Sequence, residues 1–209
     1  MNGCIGSDCD DKLNEILYFK KYEVLSTEMD SAQNKYNEII KAKEDVVASI
    51  NSSVEKVQKS LNQSEYDAVK KKINGLTDSY YDKYKTNWNK QLSTVEEKVF
   101  KKGCGKYKWK DLLRNPESYQ DKKAYFFGQV LQKIDSTRYL IGVTCTKYQY
   151  IDGYNCENNI YVTYYGGTRL IEDDLVYIWG TMNGTYSYVT VRGDEVTIPS
   201  LSAKYINLK

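Results

Sequence analysis

The chain has 209 residues, 30 Lys+Arg against 28 Asp+Glu, and no histidine. That length bounds it at one or two domains, the near-cancelling charge offers no basic footprint for nucleic acid, and the missing imidazole removes the commonest general base and metal ligand. No apolar run approaches the roughly 18–20 residues that cross a bilayer as a helix, and 21 tyrosines favour half-buried strands and amphipathic surfaces.

Residues 1–10 read as a tether. Asn2-Gly3-Cys4 resembles the tail of a bacterial lipobox, in which a small residue precedes the cysteine that takes the lipid. The resemblance implies Cys4 as the lipidated residue, with the apolar leader upstream. Asn2 departs from the pattern, which usually has a small or apolar residue there.

A long helix is expected from about Asp11, where Asp10 and Asp11 suit the positive helix end. Tyr22, Leu25, Met29, Ala32, Tyr36, Ile39, Val46, Ile50, Val54, Val57 and Leu61 step by threes and fours, interrupted at Lys43. That is a heptad seam of coiled-coil type. Asn62-Gln63-Ser64 reads as a tight turn, with Ser64 capping a second helix to Lys102. The second helix carries Tyr66, Val69, Ile73, Leu76, Tyr80, Tyr84, Trp88, Leu92, Val95 and Val99 at the same spacing. Gly75 inside it costs about 1 kcal/mol relative to alanine. Two long helices joined by a short turn predict an antiparallel hairpin over residues 11–103. The seam serves either as the glue of that hairpin or as a dock for a partner's helix.

From residue 104 the period falls to two. A short helix is expected over Trp109–Asn115, stopped before Pro116. Strands are expected at 124–134, 138–146, 159–164, 175–182, 186–191 and 203–208, with turns at Asp135-Ser136 and Asn183-Gly184. Alternation turns Phe126, Gly128, Val130, Val176, Ile178 and Gly180 inward. Tyr125, Phe127, Tyr177 and Trp179 then face outward, with Tyr161 near them on the third strand. Such aromatics stack bases or sugars, or else dock against the helices.

Lys110-Asp111-Leu112-Leu113-Arg114-Asn115-Pro116, Phe127-Gly128-Gln129-Val130, Trp179-Gly180-Thr181 and Val196-Thr197-Ile198-Pro199 occur in that order. On these pieces residues 109–208 resemble the small, anticodon-binding-like OB domains of bacterial cell-surface lipoproteins. The resemblance implies a five-stranded barrel and no particular activity, since OB barrels host unrelated ligands. The expected fold is therefore α+β: a tether (1–10), a coiled-coil helical hairpin (11–103) and an OB barrel (104–209).

No phosphate-binding loop, dinucleotide-binding glycine pattern, zinc spacing or nucleophile elbow occurs. The expectation is a protein without enzyme activity, cofactor or metal. In an exported protein Cys145 would pair with Cys156 and Cys9 with Cys104, leaving Cys4 for lipid. The Cys9 pair demands a break in the first helix near Val24–Thr27. The leading functional expectation is a binding or scaffold lipoprotein on the outer face of a Gram-positive cell membrane, with a mobile-element role compatible. Its partner would be a protein or cell-envelope component, with self-association through the hairpin left open and nucleic acid disfavoured on charge. The alternative is an intracellular single-stranded nucleic-acid-binding OB protein using the outward aromatics.

Overall fold

The computed structural model describes residues 7–150 and 152–209. The fold is α+β, a long N-terminal helix followed by a closed five-stranded barrel. Helix α1 runs unbroken over Ser7–Ser60, 54 residues or about 80 Å at 1.5 Å per residue. It stops where Leu61 takes a left-handed φ of 49°. The expected cap at Ser64 lies two residues earlier, at Asn62, whose Oδ1 accepts the Glu65 N–H at 3.1 Å.

The second arm is not one helix. It divides into α2 (Gln63–Asn74) and α3 (Asp82–Lys102), joined through Gly75 and a 3-10 turn at Ser79–Tyr81. Asp78 caps that turn, its Oδ1 accepting the Tyr80 N–H at 2.8 Å. Three-and-four spacing continues across the break because α2 and α3 both face the same stretch of α1. Periodicity cannot tell that from one continuous helix.

The double reversal lays α3 parallel to α1. Lys43 pairs with Asp78 at 2.6 Å, and the Trp88 indole N–H donates to Asn51 Oδ1 at 2.7 Å. Lys102 donates to the Ser60 carbonyl at 2.7 Å. The result is a three-helix bundle over the last third of α1. Its core is Val47, Ile50, Val54 and Val57 of α1, Tyr66, Val69 and Ile73 of α2, and Trp88, Leu92, Val95 and Val99 of α3. Residues 10–39 of α1 stand outside it, exposed on every side.

This geometry corrects the expected Cys9–Cys104 disulfide. No break occurs at Val24–Thr27; the Thr27 hydroxyl donates back to the Glu23 carbonyl at 2.9 Å, within a continuing helix. The backbone of Cys9 is therefore about 75 Å along the helix from Ser60, where α3 ends and Cys104 sits. The side chain of Cys9 and all of Cys4 lie outside the described residues.

Gly103 ends α3, and two short helices, α4 (Trp109–Arg114) and α5 (Pro116–Tyr119), lead into the barrel. Its strands are β1 (Lys123–Lys133), β2 (Arg138–Lys147), β3 (Tyr154–Tyr164), β4 (Leu175–Val189) and β5 (Glu195–Leu208). They close in the order β1-β2-β3-β5-β4, with only the β3–β5 pair parallel. The interior is filled by Phe126, Val130, Ile141, Ile160, Val162, Val176, Ile178, Leu201 and Ile206, and by Leu112 from α4. Gly180 is where β4 and β5 come too close for a side chain: an added Cβ would lie 2.4 Å from the Ser202 carbonyl oxygen.

Asn183-Gly184 is not a turn. Gly184, at φ 70°, forms an irregularity inside the 15-residue β4, and the chain reverses later, around Gly193 at φ 87°. The two short strands expected at 175–182 and 186–191 are thus one strand. Its far half forms a projecting hairpin with the first half of β5.

Candidate functional site

Strands β1 and β4 pair antiparallel, with Tyr125 opposite Trp179 and Phe127 opposite Tyr177. Period-two alternation buries their neighbours and turns these four rings outward together. Their centroids fall 5.3 Å apart for Tyr125–Trp179 and 5.2 Å for Phe127–Tyr177. The Tyr125 and Tyr177 rings are nearly parallel, with centroids 6.4 Å apart. Tyr154 of β3 extends the row, edge-on to Phe127 at 5.2 Å. Trp179 continues it the other way to Tyr205, its partner on β5, which meets Phe100 of α3 at 5.6 Å. The six rings from Tyr154 to Tyr205 are all half-buried, a belt across one wall of the barrel.

A disulfide holds one end of this belt. Cys145 and Cys156 are bonded across β2 and β3, and Tyr154 is two residues from the bond. The bundle holds the other end through Phe100.

Lysines line the belt. Lys101 Nζ lies 3.9 Å from the Trp179 ring centroid and 5.7 Å from that of Tyr205. Lys106 lies 5.4 Å from Tyr125, and Lys209 4.4 Å from Tyr154. Lys204 lies 5.4 Å from Tyr205, and Lys123 4.8 Å from Phe100. These are cation–π distances. Lys101 also pairs with Glu97 at 2.5 Å and Lys204 with Glu96 at 2.9 Å. The Lys204 hydrogen bond holds the Glu96 carboxyl below its usual range. Among the described residues Lys106, Lys123 and Lys209 have no carboxylate within ion-pair distance. Burial, with the Tyr177 phenol beside it, pushes the Tyr125 hydroxyl up, so it stays a neutral donor at physiological pH.

Tyr161 does not join this face. Its ring stacks beneath Tyr186 at 3.9 Å and is buried with Leu140 and Ile198. The reason is the length of β4: its far half carries Tyr186 and Tyr188 over the outer surface of β2 and β3. An open groove results between that hairpin and the β1–β2 turn, lined by Leu131, Ile134, Leu140, Asn159, Tyr186 and Tyr188. Placing a turn at Asn183-Gly184 concealed it. The signal available was Tyr186-Ser187-Tyr188-Val189, whose alternation continues that of β4 without interruption. Among the described residues no charged side chain lines this groove.

Among the described residues no cluster of three or more His, Cys, Asp or Glu could hold a metal, and no helix is long and apolar enough to cross a membrane. Cys104 is the free cysteine among them. Burial pushes its thiol up to about 11, so it is no nucleophile at neutral pH.

No protein-family model matches the chain, and no curated protein matches it. Similar solved structures include the mitochondrial single-stranded DNA binding protein Rim1 of S. cerevisiae, 17% identical with a TM-score of 0.24, covering 43% of this chain and 95% of that one. Another is a small single-stranded DNA-binding protein from Streptomyces coelicolor, 14% identical with a TM-score of 0.28, covering 43% of this chain and 94% of that one. The expectation that nucleic acid is disfavoured on charge is corrected by the lysines along the belt. The net charge of +2, on which the expectation rested, averages away the lysines gathered along one wall.

Proposed function

We propose that the chain is a non-enzymatic binding protein that holds single-stranded nucleic acid along the belt from Tyr154 to Tyr205. One observation carries this reading: half-buried aromatic rings and lysine ammonium groups lie together along a single wall of the barrel. Sequence-tolerant single-strand binders combine those two elements. The rings take bases by stacking, at about 1–3 kcal/mol per base, and the cations track phosphates. Each lysine over a ring can swing to a phosphate as a base arrives on the ring it leaves. The groove beneath Tyr186 has rings but no lining cation, which is why the belt is preferred. The ligand class is the one named for the similar solved structures, but the belt and not that likeness carries the reading.

The test is a titration with fluorescein-labelled oligo-dT across a salt series, read by anisotropy. Binding that weakens log-linearly with salt is expected. Lys106→Glu combined with Lys209→Glu should weaken it by at least tenfold, with far-UV dichroism unchanged. Absence of binding at 20 mM salt would overturn the reading.

A second reading concerns compartment and rests on the Cys145–Cys156 disulfide. Such bonds persist in oxidising surroundings and are rare in reducing cytosol. It supports an exported protein; a place at the outer face of a Gram-positive cell membrane, with Cys4 as the lipid-bearing residue, rests on the Asn2-Gly3-Cys4 match alone. The first reading names no compartment, and the second adds one to the same belt. Mass analysis of the N-terminal peptide from the natural host tests the anchor: a diacylglyceryl mass on Cys4 is expected, and an unmodified Cys4 would overturn it.

A further inference from the structure

The part of α1 outside the bundle is about 30 residues of single helix carrying a row of large apolar side chains. Tyr22, Leu25, Met29, Tyr36 and Ile39 are each about half exposed or more, with Met29 at 73%. The row is not a separate feature. It is the upstream run of the seam that, from Val47 to Val57, is buried against α2 and α3. Above Lys43 the seam continues and its intramolecular partners end. An unpartnered apolar row on a helix of this length is an association surface.

We propose that two copies of this chain pair through residues 18–43 of α1 as an antiparallel coiled coil, each arm's tip seated against the other copy's α1–α2 groove.

The heptad register chooses the occupant and its direction. Tyr22, Met29 and Tyr36 fall at one seam position, and Leu25, Ala32 and Ile39 at the other. Antiparallel pairing sets Tyr22 against Ile39 of the second copy, Leu25 against Tyr36, and Met29 against the small Ala32 at the centre. The flanking positions then bring Glu28 beside Lys35 of the second copy, twice by symmetry, and Phe19 beside Ile40. Parallel pairing in register would instead flank Lys21 with Ser26, Glu28 with Gln33, and Lys35 with Ile40. It makes no opposite-charge pair and sets a lysine against an apolar side chain.

The same antiparallel register carries Asp10 and Asp11 to the level of Ile50 in the second copy. An open groove lies there between α1 and α2, lined by Val46, Ile50, Leu76, Lys71 and Lys72, with Asp45 also on its wall. Leu13, Ile16 and Leu17 of the arm arrive over its apolar part, and the two aspartates arrive beside the two lysines. The arm has the length that lets both tips reach both grooves at once, as an isologous two-fold interface requires.

The test uses the full chain and is specific for register. Sedimentation velocity across a concentration series should show a species of twice the 24.2 kDa chain mass. Glu28→Lys sets lysine against Lys35 of the second copy at two places and should raise the dimer dissociation constant at least tenfold. Adding Lys35→Glu restores opposite charges across the antiparallel interface and should return the constant to within about threefold of the parent. Helical dichroism of each monomer reports that α1 remains formed. A chain that stays monomeric to 100 μM overturns the proposal. So does a double variant no tighter than Glu28→Lys alone, which would exclude the antiparallel register.

Discussion

Trp88 and Asn51 join α3 to α1 by one hydrogen bond, indole N–H to side-chain carbonyl at 2.7 Å, between a tryptophan in the centre of the bundle and an asparagine on its surface. The bond fixes the level at which the two parallel helices meet. It also satisfies a donor that would otherwise be lost to water, and leaving such a donor unpaired costs about 1–3 kcal/mol.

Asn51→Ala should therefore destabilise the bundle by about 1–2 kcal/mol. The change removes little apolar contact, so the loss reports the bond. Urea denaturation followed at 222 nm measures it, and Asn51→Asp, which keeps an acceptor at that site, should recover most of the loss. Equal stability of the parent and the alanine variant would show that the indole finds water instead.

Reducing Cys145–Cys156 should lower the stability of the barrel by up to about 3 kcal/mol, the chain-entropy value for a loop of this size. Thermal melts with and without reductant measure it. The loss should reach the belt too, because the bond holds the hairpin end that sets Tyr154 against Phe127. Reduced protein should bind oligo-dT more weakly, while Tyr154→Ala should make binding insensitive to reductant.

Acid should act through Asp135. The backbone N–H of Thr137 above all, with the Arg138 side chain, holds its carboxyl down at about 2. A carboxyl whose folded value is depressed adds stability that is present above its unfolded value near 4 and is lost as pH falls through the folded value. The window is thus pH 4 to 2. Melting temperatures of the parent and Asp135→Ala should converge across that window and differ by a constant amount above pH 5. A difference that persists at pH 2 would assign Asp135 a role independent of its charge.

Cys104 should resist alkylation. With its thiol pushed up to about 11, iodoacetamide at pH 8 should modify it about a hundredfold more slowly than a free cysteine, as read by peptide mass mapping of the folded chain. A rate equal to that of an unfolded control would mean that the α3–barrel junction opens on the timescale of labelling.

The barrel was more legible than the bundle, for a reason visible in particular residues. Inward and outward faces of β1 and β4 follow from alternation alone, and Phe126, Val130, Val176 and Ile178 lie where period two puts them. The belt was legible for the same reason, since Tyr125, Phe127, Tyr177 and Trp179 sit at alternate positions of two adjacent strands. Tyr161 obeys the same rule on β3, and what covers it comes from far along the chain. Gly184 has the composition of a turn and the conformation of a bulge, and only the pairing of Thr185 with Pro199 tells the two apart. In the helices, three-and-four spacing records which face is buried but not which way the chain runs. Gly75 and Asp78 were the only residues that marked the reversal.

That reversal has a mechanical result. By returning α3 to the end of α1 it hangs the barrel at Ser60, at the opposite extremity from the arm's tip, some 80 Å away at 1.5 Å per residue. The arm is therefore a spacer. In an antiparallel pair the two barrels stand at opposite ends of one rod, about 90 Å apart by the same rise. On the proposed function a short single strand would engage one barrel at a time, whereas a strand long enough to bridge the rod would hold both and gain avidity from the second contact becoming intramolecular. Ligand length, more than ligand sequence, would then set how tightly such an assembly binds.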